Sequence, residues 1–595
     1  MVIELFPPHV CRERAGEFFR GTPEYICEEN MGDSFWIQTV PERCTVRGGR
    51  TGLLYAADLL AELNSRHGGI PCAEYSDTPD VSFRCYHLDL KKGSGGVADI
   101  KRTLDRLRTL RYNHVLAEYE NRIRLDSLPG VEAPDAFTHE EIRELNAYAE
   151  ENGIRIIPLL QSFGHLEYLL KHPDYQKYSE MPDDFQQLCP LKDEAFELWK
   201  KVFDEIHALH PGTDCFHIGG DETYNLGRCP ACAEYSKQHS KEELFLHHIG
   251  RVCRYVLDQG CRPILWHDML ARSARYDLIR QLPEETVLLY WDYRSREQEI
   301  NSVKRTWKYL VSREWIGKVH SFQDFAAAPE MFTGYIEDEP AEEVEQIRRE
   351  TVGRDLTEFA PLPMMKPMKE TGRTVYGASS LGYSPCATLL GHTWRNYSNM
   401  RMWLDQGVDG IVITRWAASN SLDPARGPAS LRDLQLMVSA ELMWNRNLDL
   451  QQISGRYDRS FGSEAGRISG MLDMVVYSEQ EMFINWPEHI VSDFAALEDK
   501  IELPMRWLYR KYRTALRAEL LIRRLRAFMR NAAGKMAASA NVVKFPQEIQ
   551  AMKEELRKEF SDEYPPEAME EWLLRLFEPY DAMLAGLELQ RSRSK

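Results

Sequence analysis

Between residues 82 and 416, short runs rich in β-branched and aromatic residues alternate with longer helical stretches, and this alternation constrains the fold more than any other feature of the chain. Such an order builds βα units around a parallel sheet. Eight runs stand out: Phe83–Leu90, Asn113–Tyr119, Arg155–Gln161, Cys215–Gly219, Pro263–His267, Val287–Trp291, Thr374–Ala378 and Ile411–Trp416. Eight parallel strands in one unit predict an α/β fold of the (β/α)8 TIM-barrel class. The competing doubly wound open sheet announces itself by a Gly-rich phosphate turn after its first strand, and LDLKKGSGG (Leu88–Gly96) is too loose to be one. Several runs end in polar or aromatic residues, at the strand ends where a barrel carries its active site.

The flanks read differently. Residues 1–80 combine a strand-like segment, Ser34–Val40, with an apolar helical pattern, Gly52–Leu63, and are expected to form a small N-terminal α/β domain leaning on a barrel at 81–445. A long excursion, about 292–372, precedes the seventh run and contains an acidic helical patch, Glu337–Glu350, and a Pro/Met-rich stretch. Residues 446–595 turn to long helical patterns, clearest in Met505–Met529, where Leu508, Tyr512, Leu516, Leu520 and Phe528 fall near helical spacing. A C-terminal helical domain is expected there, the Arg and Lys on its other faces forming a solvated side.

Composition narrows the partners. With 43% hydrophobic and 28% charged residues, the 595-residue chain has ample material for cores and is not globally disordered. Lys+Arg 74 against Asp+Glu 92 leaves −18, which repels nucleic acid and anionic membranes. No run of about 18 apolar residues and no leader-like opening is visible, so no membrane association, reduced thiols and a cytoplasmic location are expected.

The sharpest local signal is Phe216-His217-Ile218-Gly219-Gly220-Asp221-Glu222-Thr223. Adjacent acids on an extended chain point to opposite sides. A bend at the two glycines lets both carboxylates converge where a barrel strand ends, and two carboxylates in one site have their proton affinities pushed apart, as general acid catalysis needs.

The segment HIGGDE resembles the active-site motif of glycoside hydrolase family 20, the β-N-acetylhexosaminidases, and QSFGHLEYLLKHP (Gln161–Pro173) with DETYNLGRCPAC resembles its hexosaminidase D-like branch. The resemblance covers the barrel, about 80–445, and the small domain before it. It implies a glycan or glycoconjugate substrate with a terminal β-linked N-acetylhexosamine, released by substrate-assisted retention in which the substrate's acetamido oxygen is the nucleophile. By that resemblance Glu222 is the acid and Asp221 the residue that holds the acetamido N–H. Arg84 would grip sugar hydroxyls, His165 would support the acid, and His217 is the motif's own histidine. Trp266, Trp291 and Trp416 resemble the cage around the acetamido methyl and sugar ring. The family's tyrosine that hydrogen-bonds the acetamido oxygen has two counterparts in range, Tyr293 and Tyr376. Where many members carry Trp-x-Glu to read the 3- and 4-hydroxyls, this chain has Trp416-Ala417-Ala418, which leaves the choice between GlcNAc and GalNAc open.

Two other enzyme or binding readings follow from the residues. Cys229-Pro-Ala-Cys232 has ligand-like spacing, but no second CxxC or His pair follows, so a structural pair without metal is expected. A metal hydrolase on His87, Asp89, His165, His217 and His267 competes, though the His-x-His expected on a first barrel strand is absent and Leu88 lies between His87 and Asp89. A carbohydrate-binding barrel without activity is the third reading, and the presence of both Asp221 and Glu222 weighs against it. No metal or cofactor is expected, and the oligomeric state is left open.

Overall fold

The computed structural model describes residues 9–91, 96–293, 303–305, 308–316, 334–350, 364–382, 393–416, 433–449, 451–453, parts of 510–528, 541–562 and 566–593. At the N-terminus, strands β1 (His9–Phe19), β2 (Glu24–Cys27), β3 (Phe35–Val40) and β4 (Arg43–Gly48) are followed by helix α1 (Arg50–His67) and strand β5 (Ile70–Asp77). They form one five-stranded sheet in the order β1-β5-β3-β4-β2. Phe35, Ile37 and Val46 bury against Tyr55, Ala56 and Leu59 of α1, which gives the expected α/β layer. Only β3 and α1 were legible beforehand. The outer strand β1 is rich in Glu and Arg, and β2 is only four residues long, so neither shows the apolar alternation of a half-buried strand.

The barrel strands are β6 (Phe83–Asp89), β7 (His114–Glu118), β8 (Arg155–Leu159), β9 (Cys215–His217), β10 (Arg262–Trp266) and β11 (Val287–Trp291). After three short strands, β12 (Val303–Arg305), β13 (Lys308–Val311) and β14 (Gly334–Tyr335), the barrel is completed by β15 (Thr374–Gly382) and β16 (Gly410–Arg415). The eight close into a barrel in chain order, every pairing parallel, so the (β/α)8 class read from the sequence holds. Strand residues alternate in and out. Cys85, Leu116, Ile157, Cys215, Ile264, Val287, Ala378 and Val412 fill the interior, while the outward set packs on the surrounding helices. The barrel interior is a packed core, and a barrel of this class carries its site on the C-terminal rim.

Within the excursion, β12, β13 and β14 make a small separate sheet, and the acidic patch is a helix over Ala341–Glu350. The helix Asp433–Trp444 runs back to the start of the barrel, where the Asp80 and Val81 amides donate to the Trp444 and Met443 carbonyls. C-terminal helices Asn541–Phe560 and Pro566–Arg593 pack through Phe560 and Trp572 and are joined by Lys553–Asp581 and Arg557–Glu570 ion pairs. Of the helical repeat read in Met505–Met529, Phe528 is described; Leu508, Tyr512, Leu516 and Leu520 lie outside the described residues.

Candidate active site

The glycines after β9 do what the sequence required of them. Gly219 and Gly220 adopt φ of 67° and 86°, and a Cβ on Gly219 would stand 1.8 Å from Gln161 Oε1. A side chain at either position would be strained in that backbone. The chain reverses there and carries Asp221 and Glu222 onto the C-terminal rim of the barrel. Glu222 has φ of 50° and His165, in the loop after β8, φ of 53°. Two non-glycine residues in the left-handed region of one site mark backbone strain held by its surroundings.

His165 joins the two acids. Its Nε2 lies 3.3 Å from Asp221 Oδ2 and 3.6 Å from Glu222 Oε2. Burial disfavours the imidazolium, but the charge and hydrogen bond of Asp221, reinforced by Glu222, outweigh it and push His165 up to about 10. A cation therefore sits between the carboxylates at neutral pH. Asp221 is buried while Glu222 is half exposed, and Asp221 Oδ1 accepts no hydrogen bond among the described residues. The Glu222 amide donates to Asp268 Oδ2 at 3.2 Å, and its carbonyl accepts from Gln186 Nε2 at 3.2 Å. Burial pushes the Asp268 carboxyl up to about 7, against the pull of Arg272.

His217 is fully buried, and its Nδ1 accepts the Gly219 amide at 3.0 Å. Burial lowers its pKa to about 3, so it is a neutral, loop-fixing imidazole. Its ring lies 4.7 Å from Trp266, whose ring lies 5.8 Å from Trp416. Trp416 Nε1 donates to the Tyr293 hydroxyl at 3.0 Å, and Tyr293 stacks on Trp291 at 5.7 Å. Trp266, Trp291, Tyr293 and Trp416 thus form one continuous aromatic wall above the barrel core. Ala417 and Ala418 lie outside the described residues.

Arg84 and Tyr376 do not belong to this site. Arg84 is the second residue of β6 and faces outward at the N-terminal end of the barrel, where it is bound to Asp33 Oδ2 at 2.6 Å and to the Arg111 and Val81 carbonyls. Tyr376 faces inward, but from the third position of β15, and stacks on Phe83 of the barrel floor at 4.3 Å. Both depart from expectation for one reason: the functional rim is the C-terminal end of each strand, and these residues begin theirs.

Sequence reading missed a second polar group on the rim. Lys91 Nζ lies 3.1 Å from Asp89 and 2.8 Å from Glu118, with Glu118 also 3.1 Å from His87 Nε2. Gln161 Nε2 donates to Glu118 Oε1 at 3.3 Å, and the Lys91 ammonium lies 5.0 Å from the Trp416 ring centroid. Burial raises the Glu118 carboxyl, but Lys91 and His87 outweigh it and hold it well below the usual carboxylate range. Of the five residues in the metal-hydrolase reading, His87 and Asp89 are gathered within 4.8 Å together with Glu118. The Lys91 ammonium supplies the positive charge there, and His267 instead packs on Tyr290 at 4.1 Å. Arg272, over Trp291 at 4.4 Å, was also missed. Glu118 ends its strand and was findable by that rule; Lys91 and Arg272 follow theirs in loops and carried no signal.

Residues 82–346 match the family description "Glycosyl hydrolase family 20, catalytic domain". Over those residues the barrel is similar to the glycosyl hydrolase family 20 catalytic domain. Among curated relatives, Hexosaminidase D of Bos taurus is 32% identical over 218 residues, 36% of this chain and 63% of that protein. Hexosaminidase D of Homo sapiens is 31% identical over 224 residues, 37% of this chain and 46% of that protein. The matches thus span about half to just under two thirds of the relatives' lengths. The fold is that of the β-N-acetylhexosaminidase from Bacteroides fragilis NCTC 9343, with a TM-score of 0.52 at 18% identity, over 79% of this chain and 86% of that one. No helix among the described residues is long and apolar enough to cross a membrane.

Proposed function

We propose that the chain is an exo-acting β-N-acetylhexosaminidase that releases terminal β-linked GalNAc or GlcNAc by substrate-assisted retaining hydrolysis. The observation that carries this reading is Asp221, a buried carboxylate with one oxygen on His165 and the other unpartnered beside Glu222. A buried acceptor left without a donor costs about 1–3 kcal/mol, and the acetamido N–H of a bound sugar supplies the missing bond. With that N–H held, the acetamido carbonyl oxygen attacks the anomeric carbon, the glycosidic C–O bond breaks, and Glu222 gives its proton to the departing oxygen. Asp221 stabilises the cationic oxazoline that results. Water then adds to the anomeric carbon, Glu222 takes its proton, and the ring opens to the acetamido sugar with the β configuration retained.

Burial keeps the Tyr293 hydroxyl protonated far above neutral pH, it accepts the Trp416 indole N–H, and in this reading it is the hydroxyl that meets the acetamido oxygen. The aromatic wall supports the roles of Trp266, Trp291 and Trp416 around the methyl and ring C–H surface. Lys91, Asp89 and Glu118 stand at the edge of that wall, where sugar hydroxyls meet charged partners. The −18 net charge supports a neutral glycan substrate rather than nucleic acid, and the ten described thiols, all free, support a cytoplasmic location. Hydrolysis of aryl β-GlcNAc and β-GalNAc by the purified chain, with the first-formed anomer followed by NMR, tests the proposal. Initial release of the β-hemiacetal supports it; initial release of the α-anomer overturns the retaining mechanism.

A further inference from the structure

A second cluster of reactive side chains lies behind the catalytic rim and takes no part in the proposed hydrolysis. Cys229 caps the helix Pro230–Gln238 and Cys232 lies in its first turn, while Cys189 comes from the long loop that follows β8. The three sulfurs lie within 4.8 Å of one another, all three residues are buried, and Cys189 Sγ is 3.6 Å from Cys232 Sγ.

We propose that Cys189, Cys229 and Cys232 bind one zinc ion as thiolates and so tie the two rim loops together. A tetrahedral zinc with Zn–S of about 2.3 Å requires sulfurs about 3.8 Å apart, close to the separation present, whereas a disulfide requires about 2.05 Å and leaves one of three thiols over. C-x2-C is ligand spacing, and soft thiolates select zinc over magnesium or calcium. The Cys232 amide donates to Cys229 Sγ at 3.4 Å, and both residues sit at the N-terminal end of a helix, where backbone N–H groups face the sulfurs. Glu180 is not a ligand, because one carboxylate oxygen already accepts the Arg228 and Cys229 amides and the other the Gln187 side chain. Cys229, the most exposed of the three, leaves the fourth position to water.

The consequence for the rim is positional. Gln186, three residues before Cys189, holds the Glu222 carbonyl, so the ion fixes the loop that holds Glu222 in its left-handed backbone. The sequence hid this cluster because its third member lies 40 residues before the CxxC pair.

Elemental analysis of the full chain, purified in zinc-containing medium without chelator, is expected to give one zinc per chain. Cys189→Ser, Cys229→Ser and Cys232→Ser should each lose it, while Cys27→Ser keeps it. Should the cysteine variants fail to fold, cobalt(II) exchanged into the unmodified chain reads the same site, with thiolate-to-cobalt charge-transfer bands and tetrahedral ligand-field bands expected. A chain that takes up neither zinc nor cobalt, an octahedral cobalt spectrum, or a Cys189–Cys232 disulfide mapped by mass spectrometry would overturn the proposal. None of these readouts depends on glycosidase activity.

Discussion

Both ends of the barrel bury charged side chains, and they use them differently. At the N-terminal end, Arg84 is bound to Asp33 and Arg111 to Asp77, and both guanidiniums lie against Trp444, at 5.1 and 4.4 Å from its ring centroid. These groups come from β6, the turn before β7, the N-terminal domain and the helix Asp433–Trp444. At the C-terminal end, Asp221 Oδ1, His217 Nε2 and Trp266 Nε1 are buried without a partner among the described residues. The charged pairs at the N-terminal end hold elements together, whereas the open Asp221 carboxylate oxygen at the rim can be completed by a ligand. The same residue types therefore serve stability at one end and chemistry at the other, and the difference lies in what is left over.

Glu222→Gln should break the functional end with the largest effect. Turnover of substrates with poor leaving groups is expected to fall by about 10²- to 10⁴-fold, and that of activated aryl glycosides far less, with the melting temperature unchanged. Equal losses on both substrates would remove Glu222 from the acid role. Asp221→Asn, by contrast, should slow all substrates alike.

Arg84→Met probes the opposite end. Removing one member of a buried pair leaves Asp33 uncompensated and should cost about 3–5 kcal/mol in denaturant unfolding, while KM of the remaining folded enzyme stays put. A variant of normal stability with a raised KM would return Arg84 to the sugar site.

His165 sharpens the comparison through pH. Its folded pKa, about 10, exceeds the ordinary 6.5, so its pairing with Asp221 contributes stability in full below about 6.5 and loses it as the pH rises through about 10. The stability difference between the unmodified chain and His165→Gln should therefore be constant in mild acid and shrink steadily toward pH 10. A difference that grows with pH would mean that the pair is not charged as described.

The smallest effect concerns the sugar. With Ala417 and Ala418 in place of a hydroxyl-reading Glu, β-GalNAc and β-GlcNAc should be cleaved within about tenfold of each other, because a site that does not bond a hydroxyl does not reject its epimer strongly. A hundredfold preference would point to another reader, for which Lys91 and Glu118 are the nearest charged groups.

How much of this was legible depends on whether the information was local. All eight barrel strands were found, one of them to the residue and the rest within a few residues, because each buried run is punctuated by loops. The HIGGDE bend was found because two glycines before two acids have few structural uses. Arg84 and Tyr376 were misassigned because a motif match gives a residue's type and not its height along a tilted strand. Lys91 with Glu118 and Cys189 with Cys232 could not be paired at all: each contact joins residues some 27 to 43 apart in sequence that only the pairing of neighbouring strands brings together.

The central claim is that the substrate, and no protein carboxylate, supplies the nucleophile at the incomplete end of the barrel. The most direct measurement compares kcat/KM for an aryl 2-acetamido-2-deoxy-β-glycoside with that for its 2-hydroxy counterpart. Removing an intramolecular nucleophile should slow the reaction by on the order of 10³-fold or more. Comparable rates for the two, with a covalent glycosyl ester trapped by a 2-fluoro sugar, would contradict the account and make Asp221 an attacking carboxylate.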